Sequence, residues 1–225
     1  MSGQSPGVTG DQSGILPPLQ RLALNYAPPQ ARAVTGCLLA LDARMAQLVG
    51  QSREALLAQM RLAWWREQLA MSPEARARGD AVLDEIGSCW RGEEASLVAL
   101  VDGWEELLAD PPLRAGAALS FAQGRAIAWG GAARLLGGET DFALRAARRW
   151  ALVDLAARLS DTDERAMAFR LAAEEGTAPL RQSAALRPLA VLDGMAVRAL
   201  RRGDPVMIEG RRAMLAVMRL GMFGR

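Results

Sequence analysis

The chain has 225 residues, 51% of them hydrophobic and 23% charged, enough apolar material for a sizeable core. A formal net charge of +2 is too balanced to predict nucleic-acid binding, although the pI is near 8.9. There is no histidine and all 27 basic residues are arginine, which removes Ser-His and Cys-His nucleophile pairs, His-ligated metals, Schiff-base lysines and a Walker-type phosphate lysine.

Residues 1–14 are rich in Gly, Ser and Gln and read as a disordered tail before a single domain over 15–225. They lack a basic start followed by an apolar core, so no secretion signal is expected. From there the pattern is helical almost throughout: Ala, Leu and Arg dominate and β-branched residues are sparse. Pro28-Pro29 predicts a helix start, and Val34, Cys37, Leu38, Leu41, Met45 and Leu48 carry the helical period to about Gly50. Ser52 reads as the cap of a second helix ending near Met71, and Ser72-Pro73 as the start of a shorter one ending before Gly87.

The next helix runs from about Glu93 to Ala109 and is closed by Asp110-Pro111-Pro112. Another follows from Leu113 to Leu136, stopped by Gly137-Gly138. Its glycines at 116, 124, 130 and 131 weaken it or let a second helix or a ligand approach closely. Thr140 or Asp141 caps a helix to about Leu159, and Asp161 or Thr162 one to Glu175. Two last helices span about Pro188–Arg202 and Pro205–Phe223. The expected fold class is all-α, one domain of eight to ten helices. Uncharged runs such as Ala115–Gly124 fall well short of the ~20 apolar residues that span a bilayer. Cys37 and Cys89 are distant in sequence and in no metal spacing; two buried, reduced thiols are expected, consistent with a cytosolic protein.

The segment Gln59-Met-Arg-Leu-Ala-Trp-Trp-Arg-Glu-Gln-Leu69 places paired tryptophans between two arginines on one helix. It resembles a signature of the squalene/phytoene synthases. Further blocks are similar in the same order: Arg21 to Pro28, Leu38 to Asp42, Ala151 to Asp163, Arg187 to Ala190 and the closing arginine-rich helix. The resemblance covers most of residues 20–225 and is most specific at the paired tryptophans. It implies a single-domain isoprenoid-synthase-like helical bundle around a central apolar cavity. Active members join two prenyl diphosphates head to head. Carboxylates on two facing helices hold Mg²⁺ ions there, and these bind the departing diphosphate.

The residues depart from that chemistry. Carboxylates sharing a helix face must sit three or four positions apart. Asp42 is followed by Ala43, Arg44, Met45, Ala46 and Gln47, and Asp154 has Ala157 and Arg158 at the critical spacings. Arg158 matches an arginine of the family's second motif, but Leu159 stands where an aspartate is expected. Asp161 and Asp163 match the acidic positions beyond it, or cap the next helix. The family's downstream tyrosine-leucine-proline signature is missing.

The candidate cavity and diphosphate-binding residues are therefore Asp42, Arg61, Trp64, Trp65, Arg66, Asp154 and Arg158, with Asp42, Asp154 and Asp161 as metal candidates. Each has a plainer reading beside it. Trp64 and Trp65 pack a helix buried on two sides, or line the cavity. Arg61 and Arg66 pair with carboxylates on neighbouring helices, or grip a diphosphate without metal. Asp42 and Asp154 are salt-bridged or solvated, since one carboxylate holds Mg²⁺ weakly.

Arg211, Arg212 and Arg219 stand beside Met207, Ile208, Met214, Leu215, Met218, Met222 and Phe223 in the last helix. This basic amphipathic pattern fits a peripheral membrane contact, or a closing helix packed on the core. The chain resembles the family branch that includes a mitochondrial complex I assembly factor, which also carries the paired-tryptophan motif and degenerate aspartates. That likeness implies a protein that binds an isoprenoid-type lipid or assists assembly of a membrane complex. An active, Mg²⁺-dependent prenyltransferase and a ligand-free helical module are the alternatives.

Overall fold

Prolines and glycines set several helix ends. Pro18 and Pro188 occupy first-turn positions, where a missing N–H costs nothing, and Gly137 and Gly203 close helices in the left-handed conformation. The computed structural model describes residues 16–51, 54–177 and 183–223, without the side chains of Arg211, Arg212 and Phe223. These residues form ten α-helices and no strand: α1 Pro18–Leu24, α2 Pro29–Gln51, α3 Ala55–Ala70, α4 Ala81–Cys89, α5 Glu94–Glu105, α6 Ala115–Leu136, α7 Thr140–Arg158, α8 Thr162–Glu174, α9 Arg187–Arg202 and α10 Gly210–Phe223. The all-α class is as expected.

Several boundaries differ from the sequence reading. Helix α1 is an addition. Residues 72–80 are not a helix but a run of turns and bends, and α4 begins only at Ala81. There the Asp80 carboxylate accepts from the backbone N–H groups of Val82 and Leu83, a stronger start signal than Ser72-Pro73. Residues 204–209 are likewise non-helical, so α10 starts at Gly210 rather than Pro205. The tail over 1–14 and the Ser52 cap lie outside the described residues.

Helix α6 is the hub. It packs between α5 and α7 and also touches α2 and α8, while α7 packs on α9 and α3 on α5. Ala118, Ala122, Ala126, Ala143, Ala147 and Ala151 of α6 and α7 are fully buried, so this core is filled by closely spaced helices as much as by large side chains. Gly124 is where α5 and α6 meet. A Cβ there would lie 2.4 Å from the Ala99 carbonyl oxygen and 3.0 Å from the Gly103 Cα. Of the alternatives for the α6 glycines, close helix approach explains Gly124.

Helix α2 is long and apolar enough to cross a membrane by length and composition, and more than half of its apolar window is buried in the protein. Reading uncharged runs alone passes over it because Arg32, Asp42 and Arg44 interrupt it.

Candidate functional site

Asp42 lies on α2 between turns bearing Leu38, Leu39, Leu41 and Met45, all fully buried. Asp154 lies near the C-terminal end of α7. The two carboxylates, placed on facing helices by the family resemblance, are joined by a third residue, Arg125 of α6. Its guanidinium donates from Nε to Asp42 Oδ1 and from Nη2 to Asp42 Oδ2, both at 2.9 Å, and from Nη1 to Asp154 Oδ2 at 2.8 Å. Arg125 is 1% exposed.

The remaining oxygen capacity is also taken. The Trp104 indole of α5 donates to Asp42 Oδ1 at 2.8 Å, and the Gln20 amide of α1 to Asp42 Oδ2 at 3.3 Å. Arg158, one turn beyond Asp154, reaches Asp154 Oδ1 at 3.2 Å and Oδ2 at 3.2 Å. Each of the four carboxylate oxygens thus accepts from at least one donor. The guanidinium faces are covered by aromatic rings, with centroids at 5.2 Å for Trp104, 4.7 Å for Phe121 and 4.5 Å for Trp150. Such cation–π contacts strengthen when desolvated.

Burial alone opposes charge on a carboxylate or a guanidinium. For Asp154 it opposes ionisation, yet Arg125 and Arg158 outweigh it and hold the carboxyl below its ordinary range. For Arg125 burial also opposes the charge, and Asp42 and Asp154 overcome it and raise its pKa further. Two carboxylates face two guanidiniums, so the cluster carries no net charge with which to draw in a cation or an anion. These oxygens do not suit Mg²⁺, which needs carboxylate lone pairs free to replace water. Among the described residues no group of three or more His, Cys, Asp or Glu is arranged to hold a metal ion.

A second buried pair ties the same helix to α9. Arg149 of α7 meets Asp193 of α9 through two hydrogen bonds of 2.7 Å. Here burial wins over the arginine, and the Asp193 carboxyl titrates above its ordinary range.

The other candidates scatter. Trp65 is 3% exposed and packs in the core, whereas Trp64 is 38% exposed, so the paired tryptophans do not sit on a helix buried on two sides. Their rings meet edge to face at 5.4 Å. Arg66 pairs with Asp102 at 2.6 Å and with Glu105, both on α5. Arg61 lines a surface groove of about 360 Å³ with Arg44, Gln47 and Gln51. Asp161 is the N-cap of α8 and accepts from the N–H groups of Asp163 and Glu164. Of the seven cavity candidates the structure brings together only Asp42, Asp154 and Arg158.

Sequence reasoning missed Arg125, Trp104 and Gln20. One signal for Arg125 was present: it is a single charge between the uncharged runs Ala115–Gly124 and Ala126–Ala133. A charge buried by such neighbours has to find a counter-charge. Comparison with protein-family models, with curated proteins and with solved structures finds no match to this chain.

Proposed function

We propose that this chain is a non-catalytic helical protein, built on a scaffold like that of the squalene/phytoene synthases and working by binding. The observation that carries this reading is Arg125 between Asp42 and Asp154. In the chemistry implied by the resemblance, those carboxylates hold Mg²⁺ ions against a diphosphate. Here a guanidinium supplies the positive charge permanently, and Trp104, Phe121 and Trp150 fill the space around it.

The exposed apolar faces favour a surface interaction module. Two helices support this with exposed apolar stripes. On α3, Leu56, Leu57, Met60 and Trp64 are exposed; on α10, Met214, Leu215, Met218 and Met222 are. Both sets follow the i, i+1, i+4, i+8 spacing of a single helix face. Contiguous exposed apolar faces are a mark of contact with a partner or a lipid surface. Assistance in assembling a membrane complex, the role implied by the assembly-factor branch, would use such faces.

The test is incubation of the full chain with farnesyl and geranylgeranyl diphosphate plus Mg²⁺, then lipid extraction. The expected result is no condensed hydrocarbon. A hydrocarbon product that disappears on Asp154→Ala overturns the reading in favour of an active prenyltransferase. The binding half is tested by proximity cross-linking in cells, comparing the wild type with Leu57→Glu/Met60→Glu and Met214→Glu/Met218→Glu. Loss of specific cross-linked partners from either variant supports it; identical profiles count against it.

A further inference from the structure

The fold brings together Cys37 and Cys89, which the sequence separates by 52 positions. Their sulfurs are 3.3 Å apart across the α2–α4 contact, and both are free thiols. The surroundings hold the pair in place. The indole of Trp90, the residue after Cys89, donates to the Val34 carbonyl at 3.1 Å, one turn before Cys37 on α2. The end of α4 is therefore pinned to α2 beside the sulfurs, and backbone closure is already accomplished.

The two thiols differ in access. Cys37 is 2% exposed, whereas Cys89 is half-buried at the end of its helix. They also differ chemically. The hydrogen bond between them favours the thiolate of Cys89, lowering its pKa, and raises that of Cys37. A partly exposed thiol with a lowered pKa next to a buried partner is the usual layout of an attacking and a resolving cysteine.

We propose that Cys37 and Cys89 form a reversible dithiol–disulfide modification site that takes a small-molecule disulfide as its oxidant. The Cys89 thiolate attacks one sulfur of that disulfide, an S–S bond forms to Cys89, and one thiolate leaves. The Cys37 thiol then gives up its proton and attacks Cys89 Sγ, and the second thiolate leaves. In balance, two protein thiols are oxidised to one disulfide and one external disulfide is reduced to two thiols. The product ties α2, the helix bearing Asp42, to α4. The site is independent of how the Arg125 cluster is read.

The experiment equilibrates the reduced full chain with mixtures of reduced and oxidised glutathione. Samples are quenched in acid, alkylated and examined by intact mass and peptide mapping. The wild type is expected to lose two hydrogens, retain no glutathione and yield one intrachain cross-linked peptide pair joining Cys37 and Cys89. Cys37→Ser, lacking the resolving thiol, retains glutathione on Cys89, and Cys89→Ser stays unmodified. Oxidation raises the wild-type Tm by about 10 °C, as for a disulfide closing a loop of this length, and leaves both variants unchanged. Two free thiols at the oxidising end of the series, glutathione retained on wild-type Cys89, or a cross-link only between chains overturns the proposal. If a serine variant does not fold, the wild-type peptide map decides alone.

Discussion

The guanidinium of Arg125 meets the carboxylate of Asp42 through two parallel hydrogen bonds of 2.9 Å, side by side on the same fork. This two-point contact fixes the orientation of the guanidinium plane as well as its position, and only arginine can make it. The third nitrogen is thereby aimed at Asp154, so one residue of α6 fastens α2 to α7. The charges balance and each carboxylate oxygen has a donor, which is the condition under which buried charge is tolerated.

Removing the arginine should expose that condition. Arg125→Met leaves the Asp42 carboxylate buried without a counter-charge and Asp154 with Arg158 alone, and the expected loss of stability is about 3–5 kcal/mol. Arg125→Lys should also destabilise, because an ammonium cannot span both oxygens of Asp42 while reaching Asp154. Adding Asp42→Asn and Asp154→Asn to Arg125→Met should recover much of the loss. Urea denaturation midpoints check the series, and a triple variant no more stable than Arg125→Met would refute the charge argument.

Asp154 and Asp193 make opposite contributions to stability in acid. Asp154 titrates below its ordinary value of 3.8 in the fold. The unfolded chain takes up that proton first, so the stabilisation is complete above 3.8 and is lost as pH falls through the folded value. Asp193 titrates above 3.8. Its stabilisation is complete below 3.8 and is lost as pH rises through the folded value. Asp154→Asn should therefore flatten the loss of stability on acidification below about pH 4, and Asp193→Asn the change just above it. Urea midpoints collected across that range decide, and variants that parallel the wild type throughout would contradict the assignment.

Gly124 tests the α5–α6 approach. Gly124→Ala places a methyl against backbone that cannot yield cheaply, and should cost about 1–3 kcal/mol. Gly116→Ala, in the first turn of the same helix, meets open space and should be neutral or stabilising by up to about 1 kcal/mol. Thermal unfolding of the pair separates packing from helix propensity, which predicts a gain at both positions.

Asp161 was a metal candidate and is a helix cap. Asp161→Ala should cost about 1 kcal/mol, and Asp161→Ser much less, since serine restores the acceptor for the first-turn N–H groups. Denaturation with and without Mg²⁺ is the check: a Mg²⁺-dependent stabilisation of the wild type that Asp161→Ala abolishes would point back to a metal.

Helical content and most helix ends were legible in the sequence, because they depend on local chemistry. A proline fits the first turn of α9, a glycine the left-handed position after α6, and an acceptor side chain the start of α8, whatever the rest of the chain does. Where two local signals competed, the reading failed. Ser72-Pro73 was a plausible start, and Asp80, with its carboxylate on two N–H groups, was the better one.

Asp42 and Asp154 were singled out in sequence through the resemblance, and their departure from paired-carboxylate spacing was visible there too. Their actual partner was not. Arg125 lies 83 positions from Asp42 and 29 from Asp154, and no periodicity connects residues on three different helices. The same holds for Cys37 and Cys89. The sequence by itself determined a helical chain with too few aligned carboxylates for a metal cluster, since helix propensity and face spacing are properties of neighbours. Only the tertiary structure decided that an arginine closes the space between the two aspartates, because the pairing of buried charges depends on which helices pack together.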